Sequence, residues 1–237
     1  MWCSRCIALG GLDRSSIWHI RCHLSEIGEE FMSALAEFEK SSIVAIIRTK
    51  TSAEGRSAAH ALHSAGITSF EFTTTTPDVF DLIEEFSAIK GITVGVGTAM
   101  SPAHVISAKK AGATFVLSPH TDAAVIKKTL DLNLLSVPGV ATPTDVARAL
   151  QAGAKVLKLF PASHFGPAYL KAVRDPFPEA KWLATGGVSV ENIKDWFAAG
   201  VLGFGVGGPL LGGGIPEIPT RVAAFIAEIK RVKSGEK

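Results

Sequence analysis

The sequence is nearly empty of cysteine. All three cysteines (Cys3, Cys6 and Cys22) lie near the start of the 237-residue chain, and no cysteine follows them. The body of the chain therefore has no disulfide framework and no thiol nucleophile. This usage is typical of a reducing compartment, and we expect a cytoplasmic protein. A chain of this length buries about 70% of its unfolded surface, so its core needs neither disulfides nor a metal.

Tyrosine, unbalanced charge and long apolar runs are also scarce, although the chain has 13 phenylalanines. One tyrosine and four tryptophans are too few for a surface that stacks single-stranded nucleic acid. The 24 Lys and Arg residues face 22 Asp and Glu residues, so neither nucleic acid nor an anionic membrane is expected as a partner. No apolar run approaches the roughly 20 residues that cross a bilayer. The composition, 47% hydrophobic, indicates a compact globular protein.

Residues 1–31 differ from the rest and are expected to lie outside the folded domain. Their spacing matches a two-Cys, two-His zinc finger with the ligands Cys3, Cys6, His19 and His23. Such a finger needs a small apolar core, but the core positions hold Gly10 and Ser16, which disfavours it. The arginines and serines resemble a weak organelle transit peptide. We prefer a third interpretation, a misassigned start in which Met32 is the true first residue. Each interpretation leaves 1–31 outside the domain. We expect these residues to be an N-terminal extension that is disordered or comes from a misassigned start, and 32–237 to be a single domain.

From residue 43 onward, short β-branched runs alternate with alanine-rich helical patterns. The predicted strands are 43–48, 69–74, 93–98, 115–119, 134–140, 155–160, 181–185 and 204–207. Eight even strand–helix units with buried strands predict a closed (β/α)8 TIM barrel of the α/β class rather than an open doubly wound sheet. A helix at about 33–40 would then cap the bottom of the barrel.

Two ionisable residues lie inside apolar strands. Alternation places Val156, Lys158 and Phe160 on one face of their strand. If that face is the barrel interior, desolvation lowers the pKa of Lys158 and leaves a neutral amine that can form a Schiff base with a ketone. Glu71 alternates in the same way and could exchange protons beside it. The alternative is a lysine that extends to solvent or pairs with an acid.

Glycine clusters end the last two predicted strands. One is Thr185-Gly186-Gly187 and the other is Gly205-Val-Gly207-Gly208. In barrels of this kind, the loops after strands seven and eight commonly bind phosphate through bare backbone N–H groups. Their joint occurrence at these two positions predicts a phosphate site.

The ordered motifs resemble the KDPG/KHG aldolases, that is, the 2-keto-3-deoxy-6-phosphogluconate and 4-hydroxy-2-oxoglutarate aldolases of class I. The likeness covers about residues 43–211 through IVAIIR, FEFTTTTP, GVGTA, FVLSPH, PGVATPTD, KLFPA, PFP, TGGV and GVGG. The resemblance implies that Lys158 forms the Schiff base and Glu71 is the general acid/base. It further implies a substrate site lined by Thr98, Pro119 and Phe160, with a phosphate loop of Gly186, Gly187, Gly207 and Gly208.

The chain departs from the family pattern at two positions. Many members carry an arginine four residues after the glutamate to grip the substrate carboxylate, and this chain has Thr75 there. Other members place that arginine at the end of strand one, where Arg48 stands, so we assign the carboxylate to Arg48. A serine that often follows the strand-eight glycines is Pro209 here, which lacks both the hydroxyl and the N–H. The phosphate preference is therefore less strongly implied than the aldolase activity.

The implied reaction is cleavage of 2-keto-3-deoxy-6-phosphogluconate to pyruvate and glyceraldehyde 3-phosphate, as in the Entner-Doudoroff pathway, with 4-hydroxy-2-oxoglutarate as a further substrate. No metal or other cofactor is expected, and by analogy the assembly is a homotrimer. Three alternatives stay open: the galactonate epimer as substrate, a metal-dependent aldolase using Glu71, His120 and His164, and a non-catalytic barrel that binds a phosphorylated ligand. Architecture alone does not choose among them.

Overall fold

The structure is a computed structural model that describes residues 29–235. The candidate zinc ligands and the transit-like segment lie outside the described residues. The strands are β1 (Ile43–Ile47), β2 (Ser69–Thr73), β3 (Thr93–Gly97), β4 (Phe115–Leu117), β5 (Leu135–Val137), β6 (Gly139–Val140), β7 (Val156–Leu159), β8 (Lys181–Thr185) and β9 (Gly203–Val206). The α-helices are α1 (Glu29–Ser41), α2 (Ser52–Ser64), α3 (Val79–Ser87), α4 (Pro102–Lys110), α5 (Ala123–Asp131), α6 (Pro143–Gln151), α7 (Ala162–Arg174), α8 (Ile193–Ala199), α9 (Gly208–Leu211) and α10 (Ile218–Ser234).

The strands form one parallel sheet in the order β5-β4-β3-β2-β1-β9-β8-β7-β6. The two end strands of this order are the halves of one continuous segment, so the sheet closes on itself as a barrel. Every predicted strand is present, and its bounds agree with the prediction to within about two residues. The predicted TIM barrel is confirmed.

One predicted strand, 134–140, is divided at Pro138. A proline has no N–H to give to a ladder, so the pairing changes partner at this point. Before the proline, β5 pairs with β4, and after it β6 pairs with β7, where Gly139 lies opposite Lys158. The carbonyl of Pro138 still accepts a hydrogen bond from the backbone N–H of Lys158 at 2.9 Å. The division therefore turns the chain from one neighbour to the other and closes the barrel.

The bottom of the barrel, at the N-terminal ends of the strands, is closed by α1. The predicted helix begins earlier than expected, at Glu29, so that the buried Phe31 belongs to it. Phe31, Ala34 and Phe38 pack on a layer of interior side chains. That layer consists of Val44, Phe115, Leu117, Leu135, Val137, Val156 and Leu183. The capping helix is confirmed, while the domain boundary at residue 32 stays a prediction.

Two of the outer helices begin with capping residues and a proline. Ser101 and Thr142 cap α4 and α6, each followed by a proline in the first turn, and Thr142 forms a capping box with Asp145. These caps orient the helices that cover the outside of the barrel. Among residues 29–235, no helix combines the length and apolarity needed to span a membrane.

Candidate active site

A cavity of about 470 Å³ opens at the mouth of the barrel, at the C-terminal ends of the strands. All ten residues predicted for the site line it: Arg48, Glu71, Thr98, Pro119, Lys158, Phe160, Gly186, Gly187, Gly207 and Gly208. They come from the ends of seven different strands and the loops after them. The barrel therefore brings together residues that are up to 160 positions apart in the chain.

Lys158 lies on β7 with its side chain in the barrel interior. It is 5% exposed, and Val156, two residues earlier, belongs to the apolar layer beneath it. The ammonium lies 4.9 Å from the centre of the Phe160 ring. Burial holds the pKa of Lys158 below its ordinary value; Glu71 opposes this shift, and Arg48 adds to it. The expected interior position is confirmed, and it favours an amine that is neutral, and hence nucleophilic, at lower pH than a surface lysine.

Glu71 lies on β2 and is 1% exposed. Burial raises the pKa of its carboxyl group, while the charges of Lys158 and Arg48 act in the opposite direction. A Cβ atom built on Gly97 would lie 1.8 Å from Glu71 Oε1, so the carboxyl group occupies space that only glycine leaves free. Glu71 Oε2 is buried without a hydrogen-bond partner among the described residues. An unpaired oxygen of this kind is available to a substrate or a water molecule.

Arg48 and Thr98 form a pair on the cavity wall. Arg48 follows β1 and donates from Nη2 to Thr98 Oγ1 at 3.1 Å. Within the described part of the chain, Arg48 makes no ion pair with a carboxylate. Its charge reaches the interior, because it influences the pKa values of both Glu71 and Lys158. A guanidinium without a protein carboxylate suits an anionic ligand.

The glycine loops after β8 and β9 form another part of the wall. Gly186 and Gly187 adopt φ angles of 91° and 75°, which favour glycine. A Cβ atom on Gly187 would also lie 2.4 Å from Ser163 Cβ, so this loop could not carry a side chain there. Pro209 lines the cavity beside Gly208, in the first turn of the short helix α9. It offers neither of the donors that a serine would bring to this wall.

Thr185 is a cavity residue that the site prediction missed. It ends β8, is buried, and its Oγ1 has no hydrogen-bond partner among residues 29–235. The alternation that places Leu183 in the apolar layer also turns Thr185 inward. The alternation rule applied to Lys158 would have found this residue as well. Ile46, which lies two residues before Arg48 and therefore on the same strand face, was missed for the same reason.

The alternative metal set does not come together around the cavity. Glu71 lines it, but His120 and His164 do not. His120 Nε2 lies 3.9 Å from Asp122 Oδ2, and the His164 ring contacts the Phe165 ring. Across residues 29–235, no group of three or more His, Cys, Asp or Glu side chains is placed to hold a metal ion. The geometry therefore favours the lysine-based site.

Comparison with known proteins agrees with this geometry. Residues 35–215 match the family model described as KDPG and KHG aldolase. The chain is 34% identical over 201 residues to a probable 2-dehydro-3-deoxy-6-phosphogalactonate aldolase of Rhizobium meliloti, covering 82% of this chain and 94% of that protein. It is 37% identical over 142 residues to a 2-dehydro-3-deoxy-phosphogluconate aldolase of Pseudomonas aeruginosa, covering 59% and 64% respectively. A solved structure described as native KDPGal superimposes with a TM-score of 0.75 at 29% identity, covering 81% of this chain and 96% of that one. The chain belongs to the KDPG and KHG aldolase family.

Proposed function

We propose that this protein is a class I aldolase that cleaves a 6-phosphorylated 2-keto-3-deoxy sugar acid into pyruvate and glyceraldehyde 3-phosphate. The observation that carries the proposal is the burial of Lys158 in a cavity that also holds Glu71 and Arg48. A barrel that only binds a ligand would not need a desolvated amine beside a desolvated carboxyl group. Both groups have pKa values shifted toward their neutral forms, as acid–base and nucleophilic catalysis require.

Lys158 begins the reaction by attacking the C2 ketone of the substrate. Loss of water from the adduct leaves a protonated imine, which accepts the electron pair released when the C3–C4 bond breaks. Glu71, acting through a water molecule, removes the proton of the C4 hydroxyl group as the aldehyde leaves. The resulting enamine takes a proton at C3 from the same relay. Water then hydrolyses the imine, which releases pyruvate and restores the amine.

The two anionic ends of the substrate are assigned to different walls. Arg48 binds the carboxylate, with Thr98 holding the guanidinium, because this arginine lacks a carboxylate partner within the described residues. The phosphate is assigned to the backbone N–H groups of Gly186, Gly187, Gly207 and Gly208. Thr185, whose hydroxyl group has no partner among the residues that the structure describes, supplies a contact for a hydroxyl of the substrate.

The configuration of the substrate at C4 has two candidates. Two relatives covered over 94% and 92% of their length are named phosphogalactonate aldolases, and a more identical one covered over 64% is named a phosphogluconate aldolase. We expect the gluconate form, and the galactonate form fits these relatives about as well. The ratio of kcat/KM values for the two C4 epimers decides between them.

The central test is borohydride trapping with pyruvate, followed by intact-mass and peptide mass spectrometry. We expect one reduced pyruvate adduct on Lys158 that persists in EDTA and disappears in Lys158→Met. Lys155→Met, a change of an exposed lysine just before the same strand, serves as the matched control and should keep the adduct. A folded wild-type protein without an adduct would overturn the class I mechanism. Activity abolished by EDTA would then support a metal-dependent aldolase, and no activity would support a binding protein.

Assembly and location belong to the same proposal. We place the enzyme in the cytoplasm, as its cysteine usage suggests, and expect a homotrimer. Met100 and Ile106 are large apolar side chains that the single chain leaves 50% and 40% exposed, as a subunit contact would require. Multi-angle light scattering of the purified protein measures the subunit number, and a monomer at micromolar concentration would contradict the trimer.

A further inference from the structure

The four threonines from Thr73, the last residue of β2, to Thr76 are not equivalent in the structure. Thr73 Oγ1 lies 3.0 Å from Thr75 Oγ1 and 3.3 Å from Thr76 Oγ1, so three of the hydroxyl groups form one local cluster. Thr74 makes a different contact. Its Oγ1 donates to the backbone carbonyl of Thr98, which follows β3, at 2.7 Å. Thr74 does not line the cavity, but the residue that it binds does.

Thr98 adopts an unusual backbone conformation. Its φ angle is 57°, in the left-handed region that a β-branched residue rarely enters. Such conformations persist only where surrounding contacts determine them, and they concentrate at functional sites. The conformation of Thr98 is set by the orientation of its two flanking peptide groups.

Thr74 anchors both of those peptide groups. Its backbone N–H donates to the carbonyl of Gly97 at 2.9 Å, which fixes the peptide before Thr98. Its hydroxyl group donates to the carbonyl of Thr98, in the peptide after it. The N–H of that same peptide, at Ala99, donates to the carbonyl of Leu117 at 3.1 Å, so the hydroxyl is one of two contacts that hold it. The backbone bond belongs to any residue at this position, whereas the second bond depends on the hydroxyl. The side chain of Thr74 is therefore the adjustable part of this anchor.

The backbone conformation of Thr98 sets the position of the hydroxyl group that accepts a hydrogen bond from Arg48. Thr98 Oγ1 accepts the hydrogen bond from Arg48 Nη2, so a rotation of the Thr98 backbone would withdraw that acceptor from the guanidinium. The same segment includes Gly97, against which the carboxyl group of Glu71 lies. One hydroxyl outside the cavity thus supports a chain of contacts from Thr74 through Thr98 to Arg48.

We propose that Thr74 is a positioning residue for substrate recognition: its hydroxyl group holds Thr98 in the left-handed conformation, and Thr98 in turn orients Arg48 toward the substrate carboxylate. The inference rests on the proposed function, because that function assigns the carboxylate to Arg48.

Three single variants test the hydroxyl. Thr74→Val keeps the shape and removes the donor, so we expect KM for the 2-keto acid to rise about three- to tenfold, with a smaller change in kcat. Thr74→Ser keeps the donor and should restore a KM near that of the wild type. Thr144→Val is the matched control, because Thr144 is an exposed threonine in the first turn of α6 and does not line the cavity. We expect its KM to equal that of the wild type.

A double-mutant cycle separates positioning from general structural support. In an Arg48→Met background the guanidinium group that Thr98 contacts is absent. Adding Thr74→Val should then change KM by less than about twofold. An equal fold-change in both backgrounds would overturn the inference, because the threonine would then act independently of Arg48. If the wild-type enzyme is active and the Thr74→Val variant has the same KM, the inference would also be overturned.

A crystal structure of Thr74→Val gives a readout that needs no activity. We expect Thr98 to leave the left-handed region, or Arg48 Nη2 to move out of hydrogen-bonding distance of Thr98 Oγ1. An unchanged Thr98 and Arg48 would refute the positioning role. A wild-type protein that forms no pyruvate adduct would instead overturn the proposed function, so the two failures are distinguishable.

Discussion

The two ends of the barrel interior both bury large side chains, but they are chemically opposite. At the bottom, Phe38 is 1% exposed and packs edge-on against Phe115, with ring centres 4.9 Å apart. At the mouth, Glu71 is also 1% exposed, but it is a carboxyl group with an unpaired oxygen. Burial of an aromatic ring stabilises the fold, whereas burial of a charged group costs stability and shifts its pKa. The same geometry therefore serves stability at one end and reactivity at the other.

The change from the apolar layer to the reactive groups happens within single strands. Val156 and Lys158 are successive inward residues of β7, and Leu183 and Thr185 are successive inward residues of β8. Two residues along a strand correspond to a rise of about 6.6 Å. The apolar layer thus lies directly beneath the reactive groups, keeps water from reaching them from below and holds their strands in register.

The largest expected effect comes from replacing the two buried ionisable residues at the mouth of the barrel with uncharged ones, as at the bottom. In the double variant Lys158→Met/Glu71→Gln, we expect aldolase activity to vanish and the free energy of unfolding to rise by about 1–4 kcal/mol, because an apolar side chain and a neutral amide replace two desolvated ionisable groups. Retro-aldol assays and urea unfolding measure the two changes. A variant that is less stable than the wild type would show that the pair stabilises the mouth.

The converse change removes packing at the bottom of the barrel and should leave the active site at the mouth unchanged. Phe38→Ala should lower the free energy of unfolding by about 3–5 kcal/mol, because it leaves a cavity between α1 and the apolar layer. The matched control is Ser33→Ala on the exposed side of the same helix, with an expected change within about 0.5 kcal/mol. KM of the folded Phe38→Ala enzyme should stay that of the wild type. A raised KM would mean that the layer also shapes the mouth.

Single changes at the mouth should move the pH dependence of adduct formation in opposite directions. Lys158 attacks as a neutral amine, so the rate rises with pH and levels off above the pKa of Lys158, which burial places below its ordinary value of 10.5. Glu71 raises this pKa, so Glu71→Gln should shift the rising limb to lower pH. Arg48 lowers it, so Arg48→Met should shift the limb to higher pH. Borohydride trapping at saturating pyruvate across a pH series measures both, and shifts in the same direction would contradict the charge arrangement.

The smallest expected effect concerns the phosphate wall. Pro209→Ser restores a hydroxyl group and an N–H at the cavity, so KM for the phosphorylated substrate should fall about two- to tenfold. KM for 4-hydroxy-2-oxoglutarate, which lacks a phosphate, serves as the internal control and should not change. Equal decreases for both substrates would show that residue 209 acts on the mouth as a whole rather than on the phosphate.

The sequence predicted local features well because they depend on near neighbours in the chain. Alternation in 155–160 put Lys158 on the same strand face as Val156, and this face lies in the barrel interior. The division of the fifth strand was missed, although Pro138 was a visible signal for an interrupted ladder. Thr185 was missed as a site residue because the alternation rule was not carried to the end of every strand.

Sequence by itself determined where the strands lie along the chain, which residues share a strand face and the residue types that reach the mouth, since these follow from periodicity along the chain. Tertiary structure alone decided which strand ends meet, and hence the contact between Thr74 and Thr98, the left-handed conformation of Thr98 and the room that Gly97 leaves for Glu71. These features arise between β1, β2 and β3, whose register is set by backbone pairing across the sheet rather than by any one segment. The pKa shifts of Lys158 and Glu71 depend on the same convergence, because desolvation needs the whole barrel around them.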